Sequence, residues 1–195
     1  MAYTAPVSEL QFLFENIVGI DRLAGTERFS EVTQDLRDAI LTEGAKMAQE
    51  VLAPLNRQGD LHPAYLENGV VRTSPGFAEG FKAIAEGGWL GIAADPEYGG
   101  MGLPQTLAVA MNEMMSSACL ALSLNPLMSQ GQIEALEHHA SDALKDIYLP
   151  KLISGEWCGT MNLTEPQAGS DVGALSSKAV SNGDGTYAVS GQKIF

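Results

Sequence analysis

Residues 162–171 read Asn-Leu-Thr-Glu-Pro-Gln-Ala-Gly-Ser-Asp, and they stand where the grammar of the chain changes. Proline, glycine and small polar residues at this density make a tight loop rich in backbone N–H groups and hydroxyls, able to grip an anionic or heteroaromatic ligand. A purely structural loop, with Ser170 or Asp171 as a cap, is the other reading of the same residues. Beyond the loop, short segments of partial apolar-polar alternation at 174–180 and 186–189 flank Asn182-Gly183-Asp184-Gly185, a strong hairpin signal. Together with 157–163 they predict an antiparallel sheet beginning near residue 156, and Gln192-Lys193-Ile194-Phe195 starts to read as a further strand.

On the amino-terminal side of the loop the period is helical. Over residues 30–52, Val32, Leu36, Ile40, Gly44, Met47 and Val51 recur at spacings of three or four, with charged residues mostly elsewhere, and Pro54 is expected to close this helix. A second helix is predicted to start with Ser74 as cap and Pro75 in its first turn, to bury Phe77, Phe81 and Ile84, and to end at Gly87-Gly88. Pro104 opens a third, apolar nearly all round and therefore central, with Leu107, Met111, Met114 and Ala118 on one face. Residues 126–139 and 141–148 give two more, with Pro126 opening the fourth and Pro150 stopping the fifth. The expected fold class is α+β, with a helical domain at 30–155, a preceding extension at 1–29 and the start of a β-domain at 156–195.

Composition removes several classes of function. Lysine and arginine total 11 against 24 aspartates and glutamates, a formal net charge of −13 that argues against nucleic-acid binding. Small phosphorylated cofactors remain compatible with it, because backbone N–H groups at loops and helix starts can hold them without net positive charge. No uninterrupted apolar run approaches the roughly 18 residues of a membrane span, and the start MAYTAPVSELQF lacks a basic signal-peptide region, so a cytoplasmic protein is expected. Cys119 and Cys158 lack CxxC spacing and read as buried free thiols. His62, His138 and His139 show no metal-ligand spacing and read as surface or capping residues. Met111, Met114 and Met115 read as core filling. Glu165 and Asp171, carboxylates in a tight loop, are expected to order backbone N–H groups rather than move protons.

Four ordered segments carry a family resemblance. Leu163–Asp171 fits L-T-E-P-x-x-G-S-D, and Gly191-Gln192-Lys193-Ile194-Phe195 fits G-x-K-x-[FW] after a hairpin. Upstream, Gly88-Trp89-Leu90-Gly91-Ile92 with Pro96-Glu97-Tyr98-Gly99-Gly100-Met101-Gly102, and then Leu149-Pro150-Lys151-Leu152-Ile153-Ser154-Gly155-Glu156, complete a pattern that resembles the acyl-CoA dehydrogenase family. The amino-terminal extension is similar to that of the subgroup of 3-methylmercaptopropionyl-CoA dehydrogenases and related larger bacterial enzymes.

The resemblance implies an all-helical amino-terminal domain, a middle antiparallel β-barrel-like domain and a carboxy-terminal helical domain, with FAD between the sheet and the last helices. Met161, Asn162, Leu163, Thr164, Gly169 and Ser170 would belong to the flavin segment. In it the Leu163 backbone and Thr164 hydroxyl meet the pyrimidine edge of the isoalloxazine, and Ser170 lies near the pantetheine arm. Phe195 takes the place of an aromatic residue beside the flavin ring. Met161 stands where the family usually has an aromatic residue and fills a gap instead. Leu120, Ser123 and Leu127, between the third and fourth helices, would line the acyl pocket. The implied reaction converts acyl-CoA to trans-2-enoyl-CoA, with electrons passed to an electron-transfer flavoprotein. The base would be a glutamate beyond Phe195, so the 195-residue segment alone is expected to be inactive. A homodimer or homotetramer is implied for the full-length protein. Acyl-CoA oxidase, a regulatory flavin-binding relative and an interaction module are the rival readings.

Overall fold

The amino-terminal stretch is folded in the computed structural model, which describes residues 3–194. Helix α1, Val7–Leu13, widens into a π turn at Phe14–Val18 that ends on Gly19 (φ 65°), and α2 follows at Asp21–Ala24. Leu10, Phe14 and Ile20 are buried in the main core, and Tyr3 Oη donates to the Met114 carbonyl at 3.2 Å. Asp21 receives Arg37 Nη2 at 2.7 Å, which pairs the guanidinium of a nearly buried arginine.

Helix α3, Gln34–Met47, starts at Thr33, whose hydroxyl accepts the Leu36 amide at 3.3 Å. Pro54 does not close it. The chain passes through a π turn, Ala48–Leu52, directly into α4, Ala53–Leu61, and Pro54 sits in the first turn of α4, where a missing N–H costs little. A hairpin then follows that the helical reading did not contain: β1, Tyr65–Glu67, pairs antiparallel with β2, Val70–Arg72. Its turn is Asn68-Gly69, with φ of 51° and 78°, the positive values a two-residue type I′ turn requires. Helix α5, Phe77–Glu86, begins later than expected because Gly76 (φ 81°), and not Ser74, occupies its cap; Ser74 is buried instead.

Two 3-10 turns, Trp89–Gly91 and Pro96–Tyr98, lead to α6, Gln105–His139. The third and fourth expected helices are thus one element with its joint at Cys119 (φ −155°, ψ 86°), while Pro126 lies inside the second half. Pro126 offers no amide to the helical ladder, but Leu122, Ser123, Pro126, Ser129 and Ile133 share a buried stripe, and that packing outweighs the lost bond. By length and composition alone α6 is apolar enough to cross a membrane, yet 56% of its most apolar window is buried inside the protein, as in the core helix of a bundle. Helix α7, Asp142–Ile153, likewise runs through Pro150 rather than stopping there, because Leu149, Leu152 and Ile153 complete a second, smaller cluster with Ala94 and Ile133.

The chain divides into two compact units, Met1–Gly159 and Thr160–Phe195. The expected strand at 157–163 is absent. Trp157 is anchored to α7 instead: Lys151 Nζ lies 4.4 Å above its ring, the Tyr148 ring meets it at 5.7 Å, and its amide donates to the Lys151 carbonyl at 3.0 Å. In the second unit a 3-10 turn, Val172–Ala174, takes the first residue of the expected strand. Strand β3, Lys178–Ser181, then pairs antiparallel with β4, Tyr187–Ser190, across the expected hairpin turn. The architecture is therefore α+β, a helical domain followed by small antiparallel sheets, with no closed barrel among the described residues. Gln192–Ile194 form no strand, although the Ile194 amide donates to the Thr164 carbonyl at 2.8 Å.

Candidate functional site

Pro166 bends the loop of the second unit. Glu165 and Ala168 close a turn around it, with Ala168 N donating to Glu165 O at 3.1 Å and Glu165 N donating to Ala168 O at 2.7 Å. Proline at the second position suits such a turn. The turn sends the Glu165 side chain inward, where it is 1% exposed. Oε2 accepts Ser176 N and Ser176 Oγ at 2.8 Å each and Gln167 Nε2 at 2.6 Å, while Oε1 accepts Ser177 N at 3.0 Å and Lys193 Nζ at 2.9 Å. Hydrogen bonds from Ser177, then from Lys193 and the Ser176 backbone, hold the carboxyl well below the usual carboxylate range, so it is an anion at any physiological pH. Asp171 does a smaller version of the same job by accepting Gly173 N at 3.2 Å. Both carboxylates order backbone N–H groups, as their place in a tight loop predicts.

Lys193 reaches back from the second motif to the first. Besides Glu165 it donates to the Leu163 carbonyl at 3.0 Å, and its neighbour Ile194 binds the Thr164 carbonyl. Gly191 makes the approach possible: at φ 148° any Cβ would fall 2.9 Å from the Ser177 Cα, so a side chain there would push the segment away. Leu163, Thr164 and Gly169 are brought together, with Thr164 Cγ2 3.2 Å from where a Gly169 Cβ would lie. Met161, Asn162, Leu163, Thr164 and Ser170 are all exposed and Gly169 is half-buried. Phe195 lies outside the described residues.

The donor set of this segment fits a flavin. Its carbonyls at Leu163 and Thr164 are spent internally, while the Leu163 and Thr164 N–H groups and the Thr164 hydroxyl take no partner among the described residues. The pyrimidine edge of an isoalloxazine presents carbonyl acceptors, which call for such donors.

In the first unit a cavity of about 370 Å³ is walled by Phe29, Leu90, Ile92, Ala108 and Leu127. That volume falls in the range that small ligands occupy. Of the three residues expected at an acyl pocket, Leu127 lines this cavity and Leu120 lies on an exposed face of α6. Ser123 is buried and engaged, donating to the Leu120 carbonyl at 3.0 Å and lying 3.1 Å from Ser116 Oγ. The break between the two halves of α6 is confined to Cys119, so residues 120–127 are helical rather than a connecting segment. Two lining residues went unread in the sequence: Asn112 Nδ2 donates to Gln130 Oε1 at 2.8 Å, and Gln130 Nε2 donates to the Trp89 carbonyl at 2.9 Å. The helix carries five amides in all, Gln105, Asn112, Asn125, Gln130 and Gln132, so no sequence signal singles out this pair.

Cys119 is buried and free as expected, whereas Cys158 is exposed, because no strand forms to turn it inward. The three histidines are exposed, and no group of three or more potential metal ligands occurs among the described residues.

Known proteins match both halves of this description. The profile of the acyl-CoA dehydrogenase N-terminal domain covers residues 34–156. The chain is 42% identical to a 3-methylmercaptopropionyl-CoA dehydrogenase of Ruegeria pomeroyi over 195 residues, which is all of this chain and 33% of that protein. Among solved structures, a glutaryl-coenzyme A dehydrogenase in complex with glutaryl-CoA superposes with a TM-score of 0.70 at 28% identity, over 83% of this chain and 38% of that one. An acyl-CoA dehydrogenase complexed with FAD from Bacillus anthracis shares the fold, with a TM-score of 0.67 at 24% identity over 84% of this chain and 26% of that one. The chain thus spans about a third of the length of the curated relatives it matches. With most of its helical unit inside the family profile and its two loop motifs joined by Lys193, the chain belongs to the acyl-CoA dehydrogenase family.

Proposed function

We propose that the full-length protein is an FAD-dependent acyl-CoA dehydrogenase that converts an acyl-CoA to its trans-2-enoyl-CoA and hands the electrons to an electron-transfer flavoprotein. The observation that carries this reading is the outward-facing donor set of Leu163 and Thr164, held by Lys193 and Ile194. FAD, when bound, would supply the two-electron acceptor. This segment would contribute positioning: Leu163 and Thr164 orient the ring edge, Ser170 meets the pantetheine arm, and Leu127 borders the acyl chain. A carboxylate outside residues 1–195 would remove the α-proton.

The relative from Ruegeria pomeroyi suggests the first substrates to offer: 3-methylmercaptopropionyl-CoA and short linear acyl-CoAs of matched length. The purified full-length protein should be yellow and should form enoyl-CoA with an artificial electron acceptor. It should do so far more slowly with oxygen alone. Rapid oxygen-dependent turnover would reassign it as an oxidase, and absence of flavin would overturn the reading. The 195-residue segment by itself should show no turnover.

A further inference from the structure

Within the functional reading above, we infer that Lys193 and Glu165 are positioning residues for the flavin, with Lys193 aiming the Thr164 N–H at a carbonyl of the ring edge and Glu165 anchoring Lys193. The argument starts from peptide geometry. The Leu163 C=O and the Thr164 N–H belong to one planar unit joined by a trans peptide bond, so the two groups point in opposite directions. Lys193 Nζ grips that carbonyl at 3.0 Å from the side of Glu165, which turns the Thr164 N–H away from Glu165. The next peptide is fixed independently. Ile194 N holds the Thr164 carbonyl at 2.8 Å, and the Glu165 amide on the far side of that peptide is spent on Ala168 at 2.7 Å. The Glu165 N–H is thus consumed and the Thr164 N–H presented, and the ammonium sets the direction of the one presented.

Glu165 is arranged to hold that ammonium still. Four further donors, from Gln167, Ser176 and Ser177, fix its carboxylate, so Lys193 is attached to an anchor tied at residues 176–177 as well as within its own loop. A lysine that served solubility or a loose surface pair would not need this. The exposed pair of Lys82 with Glu86 at 3.6 Å, both side chains mostly in water, shows the contrast.

The test uses the full-length protein with FAD titrated into apoprotein, read by flavin fluorescence and by the visible band of the bound flavin. Lys193→Met keeps the length of the side chain and removes its donors. It should weaken FAD binding on the order of tenfold or more, and at saturating FAD the visible band should lose part of the wild-type displacement from free FAD, a signature of changed hydrogen bonding at the ring edge. Lys193→Arg keeps the charge beside Glu165 but replaces a point donor with a rigid fork, and should fall between the two. Wild-type affinity with an unshifted wild-type spectrum in Lys193→Met overturns the inference. If Lys193→Met fails to fold, Lys193→Arg decides, and wild-type affinity and spectrum there overturn it equally. Failure of the wild-type protein to bind FAD would sink the functional reading itself, which is a different result from a variant that binds as well as wild type.

Discussion

Ile84, Leu107, Met111, Met114 and Met115 are wholly buried in the first unit, whereas in the second, among the described residues, the buried side chains are Ala168 and Glu165. The first unit is held by apolar area, at about 1.5 to 3 kcal/mol for each large side chain removed from water. The second is held by a carboxylate and its five donors. Such a cluster contributes little net stability, because charges and polar groups must leave water to form it, but it tolerates very few geometries. The difference fits a division of labour. An apolar core supplies a scaffold that accepts many sequences, and a saturated polar cluster supplies a loop of defined shape.

The largest effect should come from the scaffold. Leu107→Ala in the 195-residue chain is expected to cost about 2 to 5 kcal/mol, since Leu107 is fully buried and its neighbours can only partly close the gap. At about 2 to 4 °C per kcal/mol for a chain of this size, the helical signal should melt at a clearly lower temperature. An unchanged melt would break the comparison at its stronger end. Next in size is Gly44→Ala. An added Cβ would run into Met111 Sδ and lie 2.9 Å from Met111 Cε and 3.0 Å from Met114 Cε. Methionine is flexible enough to give way in part, so a loss of about 1 to 3 kcal/mol by urea unfolding is expected. A stabilising result would show that the α3–α6 contact holds spare room.

These same residues mark what could be read in advance. The three-four spacing of Val32, Leu36, Ile40, Gly44 and Met47, and of Leu107, Met111 and Met114, made the helices legible, because burial is what the period records. The ends were not legible. Pro54 and Pro150 signal a stop and Pro126 a start, yet Pro54 falls in the first turn of α4, and Pro126 and Pro150 are carried inside helices by packing that a local rule does not see. Asn68-Gly69 between Tyr65-Leu66 and Val70-Val71 is a turn signal of the same kind as the one at 182–185 and went unread among the helices. In the loop, the residue types announced donors and ordered carboxylates. The partner that sets them, Lys193, lies 30 positions beyond the carbonyl it binds, and no spacing rule links a lysine to a carbonyl at that range.

A pH titration probes the polar side of the comparison. The folded-state acidity of Glu165 is raised by its hydrogen bonds, that is, its pKa is depressed, so the order it confers is fully present above the ordinary carboxylate range. That order is lost as pH falls below the range toward the depressed value. Asp184, held down by hydrogen bonds from the Thr186 side chain and backbone, behaves in the same sense at the hairpin turn. Amide exchange at Glu165, Ser176 and Ser177, whose N–H groups are bonded in this cluster, should therefore stay flat from pH 7 to about pH 5 once corrected for intrinsic rates, above the unperturbed Glu and Asp values. Protection that fell steadily across that interval would show that Glu165 is not the group that holds the loop.

The smallest expected effect is the most informative about surroundings. Val189 is 78% exposed, in β4, a strand in which every residue is exposed. A side chain that meets mostly water in the folded state loses little when it is shortened, so Val189→Ala in the 195-residue chain should change stability by no more than about 0.5 kcal/mol. The relatives are about three times the length of this chain, and in a longer protein additional segments can cover a strand of this kind. If they do, the same substitution in the full-length protein should cost more, up to the roughly 0.8 kcal/mol of each methylene-sized group that becomes buried. The pair of measurements then reports coverage directly. A large loss in the short chain would mean that the β3–β4 hairpin depends on apolar contacts after all, and the contrast between an apolar unit and a polar one would have to be withdrawn.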